Sequence, residues 1–136
     1  MTNSNFSWEA VSRYLLEKPG ATQDFAFGPD GAVFKVRGKI FADVAWCETP
    51  LNVVLKCEPT EAIALRGAFP VITTARYFNK RHWNSVTLDG SMPDELVWRM
   101  IDDSYDLTVA GLPKWQREEL REEIEQEISE AAPNHE

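Results

Sequence analysis

From Ser7 to Lys18, apolar side chains fall at Trp8, Val11, Tyr14 and Leu15, steps that lie on one helical face, and Pro19-Gly20 closes the segment. An amphipathic helix is predicted there. Ala32–Val36 and Ile40–Trp46 are short runs rich in β-branched and aromatic residues, joined through Arg37-Gly38-Lys39, where glycine supplies the positive φ of a tight reversal. They predict a β-hairpin. Leu51–Cys57 follows as a third strand whose Val-Val-Leu run suits the middle of a sheet. Pro59–Arg66 starts with proline at a first helical position and stops before Gly67, which predicts a short helix.

The alternation then returns. Val71–Phe78 and Trp83–Leu88 are predicted strands, connected by Asn79-Lys80-Arg81-His82 and closed by Asp89-Gly90. Within the second, Trp83 is expected to face the core, with its polar neighbours His82 and Asn84 facing out. Ser91 and Asp94 form a Ser-x-x-acid capping pattern ahead of a long helix with Val97, Ile101, Tyr105 and Val109 every four residues. Gly111-Leu112-Pro113 breaks it, and Lys114–Glu130 is a further helical segment with a thin stripe of Leu120, Ile124 and Ile128. The order α-β-β-β-α-β-β-α-α predicts a two-layer α+β fold, an antiparallel sheet covered by helices on one face. Residues 1–113 are expected to form this domain, and 114–136 an acidic helical C-terminal extension of it.

Composition adds limits. The 136 residues suit one domain with a real core, since 43% are hydrophobic, including five Trp and seven Phe. No run approaches the ~18–20 apolar residues of a membrane helix, and the polar start lacks a leader pattern, so a cytoplasmic protein without membrane contact is expected. Cys47 and Cys57 stand in or beside apolar runs, without metal-ligand spacing, and read as buried thiols. The net charge of −8 is unevenly spread, with 14 acidic and 11 basic residues up to Pro113 but eight acidic and three basic after it. That acidic end would repel phosphate unless folded away from any basic surface.

The chain carries no Gly-x-Ser-x-Gly elbow, Walker loop or Gly-x-Gly-x-x-Gly, and only two histidines, His82 and His135. Phe27-Gly28-Pro29-Asp30-Gly31 precedes a strand and reads as a turn, not a phosphate cradle. Asp102, Asp103 and Asp106 read as a solvated helix face. No enzyme activity and no cofactor or metal are expected. The unusual stretch is Arg76–Asn84, which interleaves cations, aromatics and carboxamides without an acid. Nucleic-acid surfaces use such mixtures, with cations on phosphates and aromatic faces for stacking. Lys35, Arg37 and Lys39 place three more cations at or beside a hairpin tip.

Seven blocks, in order, resemble the MmcQ/YjbR family: Lys18-Pro19-Gly20-Ala21, Phe25-Ala26-Phe27-Gly28, Val33-Phe34-Lys35-Val36, Lys39-Ile40-Phe41-Ala42, Leu55-Lys56-Cys57, Asn79–Asn84 and Leu88-Asp89-Gly90. The resemblance runs from about Ser7 to Pro113. It implies a frataxin-like two-layer fold and a double-wing DNA-binding protein without catalysis. Carried over, the contact surface on double-stranded DNA would be the Asn79–Trp83 block and the Arg37-Gly38-Lys39 turn; with the neighbouring cations, the candidate contact residues are Lys35, Arg37, Lys39, Arg76, Asn79, Lys80, Arg81 and His82. The alternative is a protein-interaction module without nucleic-acid binding or catalysis, in which the sheet face or the acidic C-terminal helix docks a partner or a second copy of the chain.

Overall fold

The computed structural model describes residues 6–25 and 31–131. Helix α1 (Trp8–Leu16) begins where the Ala10 amide donates to Ser7 Oγ at 3.0 Å, and it buries Val11 and Leu15. Gly20, at φ 72°, then reverses the chain into a six-stranded sheet. Its strands are β1 (Ala21–Asp24), β2 (Ala32–Val36), β3 (Lys39–Ala45), β4 (Asn52–Lys56), β5 (Ile72–Thr74) and β6 (Trp83–Thr87). They lie in the order β1-β2-β3-β4-β6-β5, every neighbouring pair antiparallel. Helix α2 (Pro59–Ala68) connects β4 to β5, while α3 (Asp94–Ala110) and α4 (Lys114–Ala131) follow β6.

The expected α+β order is present, with one strand, β1, added between the first helix and the hairpin. β1 reads Ala-Thr-Gln-Asp because it is the edge strand and half exposed, so it needs no run of branched apolar residues. One sheet face carries Ala32, Phe34, Val36, Ala42, Val44, Val53, Leu55 and Val86 into a core shared with Val11, Leu15, Val97, Ile101 and Leu120 from the helices. Each Val, Leu, Ile or Phe among them contributes ~1.5–3 kcal/mol of burial. The opposite face bears Asn52, Ser85 and Thr87, linked as Ser85 Oγ to Asn52 Oδ1 at 3.1 Å and Asn52 Nδ2 to Thr87 Oγ1 at 3.3 Å. Asp43 lies on this face too, and partial burial raises its carboxyl above the usual range.

Local departures from the expected pattern have physical causes. The four-residue stripe of α3 drifts by ~40° per step against a 3.6-residue turn. Val109 is therefore only half buried, and Ser104 and Thr108 take the inner positions. The capping box does not form: Pro93 is the N-cap of α3, and Ser91 instead donates through both its amide and hydroxyl to Asp89. The expected strand Val71–Phe78 is cut to Ile72–Thr74, with Tyr77 86% exposed in the turn that follows. Asp102 is no mere solvated acid, because it accepts from Tyr14 Oη at 2.7 Å and from Lys18 Nζ, tying α1 to α3. Cys47 is exposed and Cys57 half-buried, so neither is a core thiol. The Phe27–Asp30 part of the expected turn lies outside the described residues.

Two phenols report on this packing. Tyr105 donates to the Pro19 carbonyl at 2.6 Å and meets Phe41 edge-on. Burial first, then the Asp106 charge, raise its pKa to about 12, against an opposing effect of Arg37. Burial and the Asp102 contact likewise push Tyr14 to about 12. The unfolded chain ionises its phenols near pH 10 while the folded one holds these protons. Stability should therefore be undiminished by this effect below pH 10 and fall as pH rises from 10 to about 12. Urea denaturation across that range should show the fall, and Tyr105→Phe should flatten it while costing ~1 kcal/mol at neutral pH.

Candidate nucleic-acid interface

At one end the sheet divides. Ala42 pairs with Leu55, but beyond that point β3 continues only with β2, through Lys35 opposite Ile40 and Val36 opposite Lys39. β4 continues only with β6, through Lys56 opposite Trp83, and the Cys57 amide donates to the His82 carbonyl at 2.7 Å. Two causes are visible in the sequence of contacts. Phe41 is an extra residue in β3, because Phe34 opposes Ala42 while Lys35 opposes Ile40, and such a bulge bends its strand and increases its twist. The fully buried Ser104 of α3 then occupies the gap: the Lys56 amide donates to its Oγ at 2.8 Å, and that hydroxyl donates to the Phe41 carbonyl at 2.6 Å. One side chain thus satisfies both backbone groups that the divergence leaves without a ladder partner.

The gap is a cleft of about 430 Å3 lined by Gly38, Lys39 and Ile40 on one side, Lys56, Phe78 and Trp83 on the other, and Thr108 and Gly111 behind. Two segments some forty residues apart in sequence, the Arg37-Gly38 turn and the Phe78–Trp83 connection, meet here. The first is a two-residue turn with both φ angles positive, 50° at Arg37 and 80° at Gly38, the primed geometry that matches strand twist. The second is held by its own carboxamide, since Asn79 Oδ1 accepts from the Arg81 amide at 2.8 Å.

The eight expected contact residues are not equivalent. Lys39, Arg76, Asn79, Lys80 and Arg81 are exposed, and His82 is half-buried. Arg76 lies over the Tyr77 ring, 5.9 Å from its centroid. Lys35 sits back along β2 and pairs with Asp24 at 3.5 Å. Arg37 turns away from the cleft to α4, with Nη2 2.7 Å from Glu123 and 3.6 Å from Glu119. Its Nε is buried and lacks a hydrogen-bond partner. α4 is fixed beside this tip by Leu120, buried against the core near Gly20, while Ile128 further along is 65% exposed.

Sequence reasoning missed Lys56 and Ser104. Lys56 reads as the polar end of a central strand, and only the pairing pattern turns it into the cleft. Trp83 is corrected: it lies half-buried beside Phe78, ring centroids 4.7 Å apart, whereas Asn84 is 1% exposed. The inward carboxamide is satisfied, donating to the Ala62 carbonyl at 3.3 Å and accepting from Arg66 Nη1 at 2.6 Å, so it joins α2 to β6. Alternation assigned by hydrophobicity inverts where a polar side chain has a buried partner. Cys57, next to the cleft, is a protonated thiol at neutral pH: burial, then Glu61, Glu58 and Asp103, raise it to about 11.

A split antiparallel sheet backed by helices defines an α+β protein with two projecting hairpin ends. The chain belongs to the YjbR family, whose model matches residues 16–107. Escherichia coli YjbR, an uncharacterised protein, is 36% identical over 108 residues, which cover 79% of this chain and 92% of that one. Its uncharacterised relative YbdF is 32% identical over 113 residues, covering 83% and 93%. The crystal structure of Deinococcus radiodurans protein DR2400 superposes with a TM-score of 0.80 at 32% identity, over 84% of this chain and 87% of that one. A Pseudomonas syringae protein gives a TM-score of 0.64 at 26% identity, over 76% and 99%. The family match ends ahead of α4.

Ser104→Val should cost ~2–3 kcal/mol in urea denaturation, because two backbone groups lose their partner in a buried place. Trp83→Ala should cost less than the ~3–5 kcal/mol of a fully buried aromatic, since the ring is partly solvated already. A Trp83→Ala loss of the full ~3–5 kcal/mol would show that the cleft wall is part of the core.

Proposed function

We propose that this protein is a non-catalytic binder of double-stranded DNA that sets its two hairpin ends against the phosphate backbone. The observation that carries the reading is the cleft, which Lys39 and Lys56 both line beside Phe78 and Trp83, with Lys80 and Arg81 on the adjoining connection. Lysines and arginines release condensed counterions on meeting phosphates, and the exposed ring of Tyr77 stands next to Arg76 for contact with sugar or base. The cleft lining offers cations, a threonine and backbone but, among the described residues, no carboxylate, histidine or cysteine to act as general base or nucleophile. Lys39, Lys80 and Arg81 are the principal contacts in this reading, with Arg76, Asn79 and His82 alongside. Lys35 and Arg37 are secondary, because each is already neutralised by a carboxylate of this chain.

Net acidity does not oppose this, because charges beyond ~8–10 Å are screened at physiological salt and the basic end acts locally. α4 does oppose it at one point, where Glu119 and Glu123 hold Arg37. A second reading, a protein-docking module, is favoured by Trp115 and Ile128, which α4 exposes by 63% and 65%.

Titration of a short duplex at several salt concentrations separates the two. Lys39→Ala, Lys80→Ala and Arg81→Ala should each reduce the slope of log affinity against log salt by ~0.9, one phosphate each, while Arg37→Ala should change it little. Glu119→Gln with Glu123→Gln should steepen the slope by about the same amount, because Arg37 is released while Leu120 stays docked. Failure of both the intact protein and this double variant to bind duplex at low salt would overturn the DNA reading in favour of protein docking.

A further inference from the structure

The opposite end of the sheet holds a second cavity with inverted chemistry. It measures about 380 Å3, within the usual range for small-molecule sites, and lies between the start of α1, the β3–β4 connection and the segment after β6. Its base is apolar, with Phe6, Leu51 and Leu88 all buried. Trp8 and Trp46 form a wall, their ring centroids 6.0 Å apart and their planes tilted by 36°. Glu48 and Asp89 add carboxylates to the lining, and among the described residues no lysine, arginine or histidine lines the space. Asp89 is held in place by the Ser91 amide at 3.0 Å and the Ser91 hydroxyl at 2.7 Å, bonds that favour its ionised form and lower its pKa. This is the Leu88-Asp89-Gly90 block, which the cleft at the other end leaves unused.

Two indoles and two carboxylates around one concave space exclude an anion and select positive charge. An indole face is the best aromatic partner for a cation, and an alkylated ammonium matches it because its charge is spread over a poorly hydrated, apolar surface. Charge from Glu48 and Asp89 adds attraction, while the apolar base accepts the alkyl groups. We propose that this cavity is a binding site for an organic ammonium ion, with Trp8 and Trp46 against its methyl or methylene groups and Asp89 and Glu48 against its charge.

Such an ion could be a free small molecule or the lysine side chain of another protein, and the two are separated by the choice of probe. Calorimetric titration of the intact protein with choline should give saturable one-to-one binding, and the neutral isostere 3,3-dimethylbutan-1-ol should bind at least tenfold more weakly. Trp46→Ala and Asp89→Asn, both at exposed positions, should each weaken choline binding about tenfold or more without altering the duplex titration. Binding of Nα-acetyl-lysine amide in place of choline would assign the same site to a lysyl side chain. Equal binding of choline and its neutral isostere would overturn the proposal, as would the absence of binding by both choline and the lysine amide.

Discussion

The architecture of the basic end depends on one hydroxyl. Strands β3 and β4 part company after Ala42 and Leu55, and a parted ladder leaves an amide and a carbonyl facing each other across a space too wide for a direct bond. Ser104 fills that space from α3, accepting from Lys56 and donating to Phe41. Without it the sheet would have either to close, abolishing the cleft, or to leave two buried polar groups unmet. The bulge at Phe41 works with it, sending that ring onto Tyr105, whose phenol reaches Pro19. Sheet divergence, helix docking and the turn after α1 are therefore one connected arrangement.

Charge distribution is the second organising element. A chain with a net charge of −8 keeps its cleft cations free of acid because half of that negative charge sits in α4, and because α4 is placed. Leu120 fixes its first half against the core, and Arg37 ties Glu119 and Glu123 to the hairpin turn. The carboxylates thereby meet one cation and leave those flanking the cleft alone. Arg37 holds a left-handed backbone conformation, unfavourable for a side-chain-bearing residue, in a place where its guanidinium gains two acidic neighbours.

Much of this was legible in the residues. Hydrophobic periodicity located α1, α3 and the central strands, because these elements bury one face and must repeat with their own period. The basic, aromatic character of the Arg76–Asn84 stretch and of the Arg37 turn was equally plain. What the pattern could not give were features that arise from pairing. β1 is too polar to announce itself; Lys56 becomes a cleft residue only through strand divergence; and Asn84 displaces Trp83 from the core because Arg66 and the Ala62 carbonyl are waiting for it. The Arg37 contact to α4 spans more than eighty residues, beyond any local rule.

The two hairpin ends also differ in mechanical character. The Arg37-Gly38 end is a two-residue turn on a continuous ladder, flanked by β1 and braced by an ion pair. The 75–82 connection is longer and held by isolated bonds, among them His82 N to Asn79 O at 3.1 Å, Phe78 N to Ala75 O at 3.4 Å and Arg66 Nη1 to Lys80 O at 3.4 Å. Backbone secured by few, exposed hydrogen bonds opens at lower free energy than a paired strand. The cleft accordingly has one stiff jaw and one compliant jaw. On the DNA reading, a duplex would be met by adjustment of the compliant side alone, the stiff hairpin setting the register and the 75–82 connection the fit.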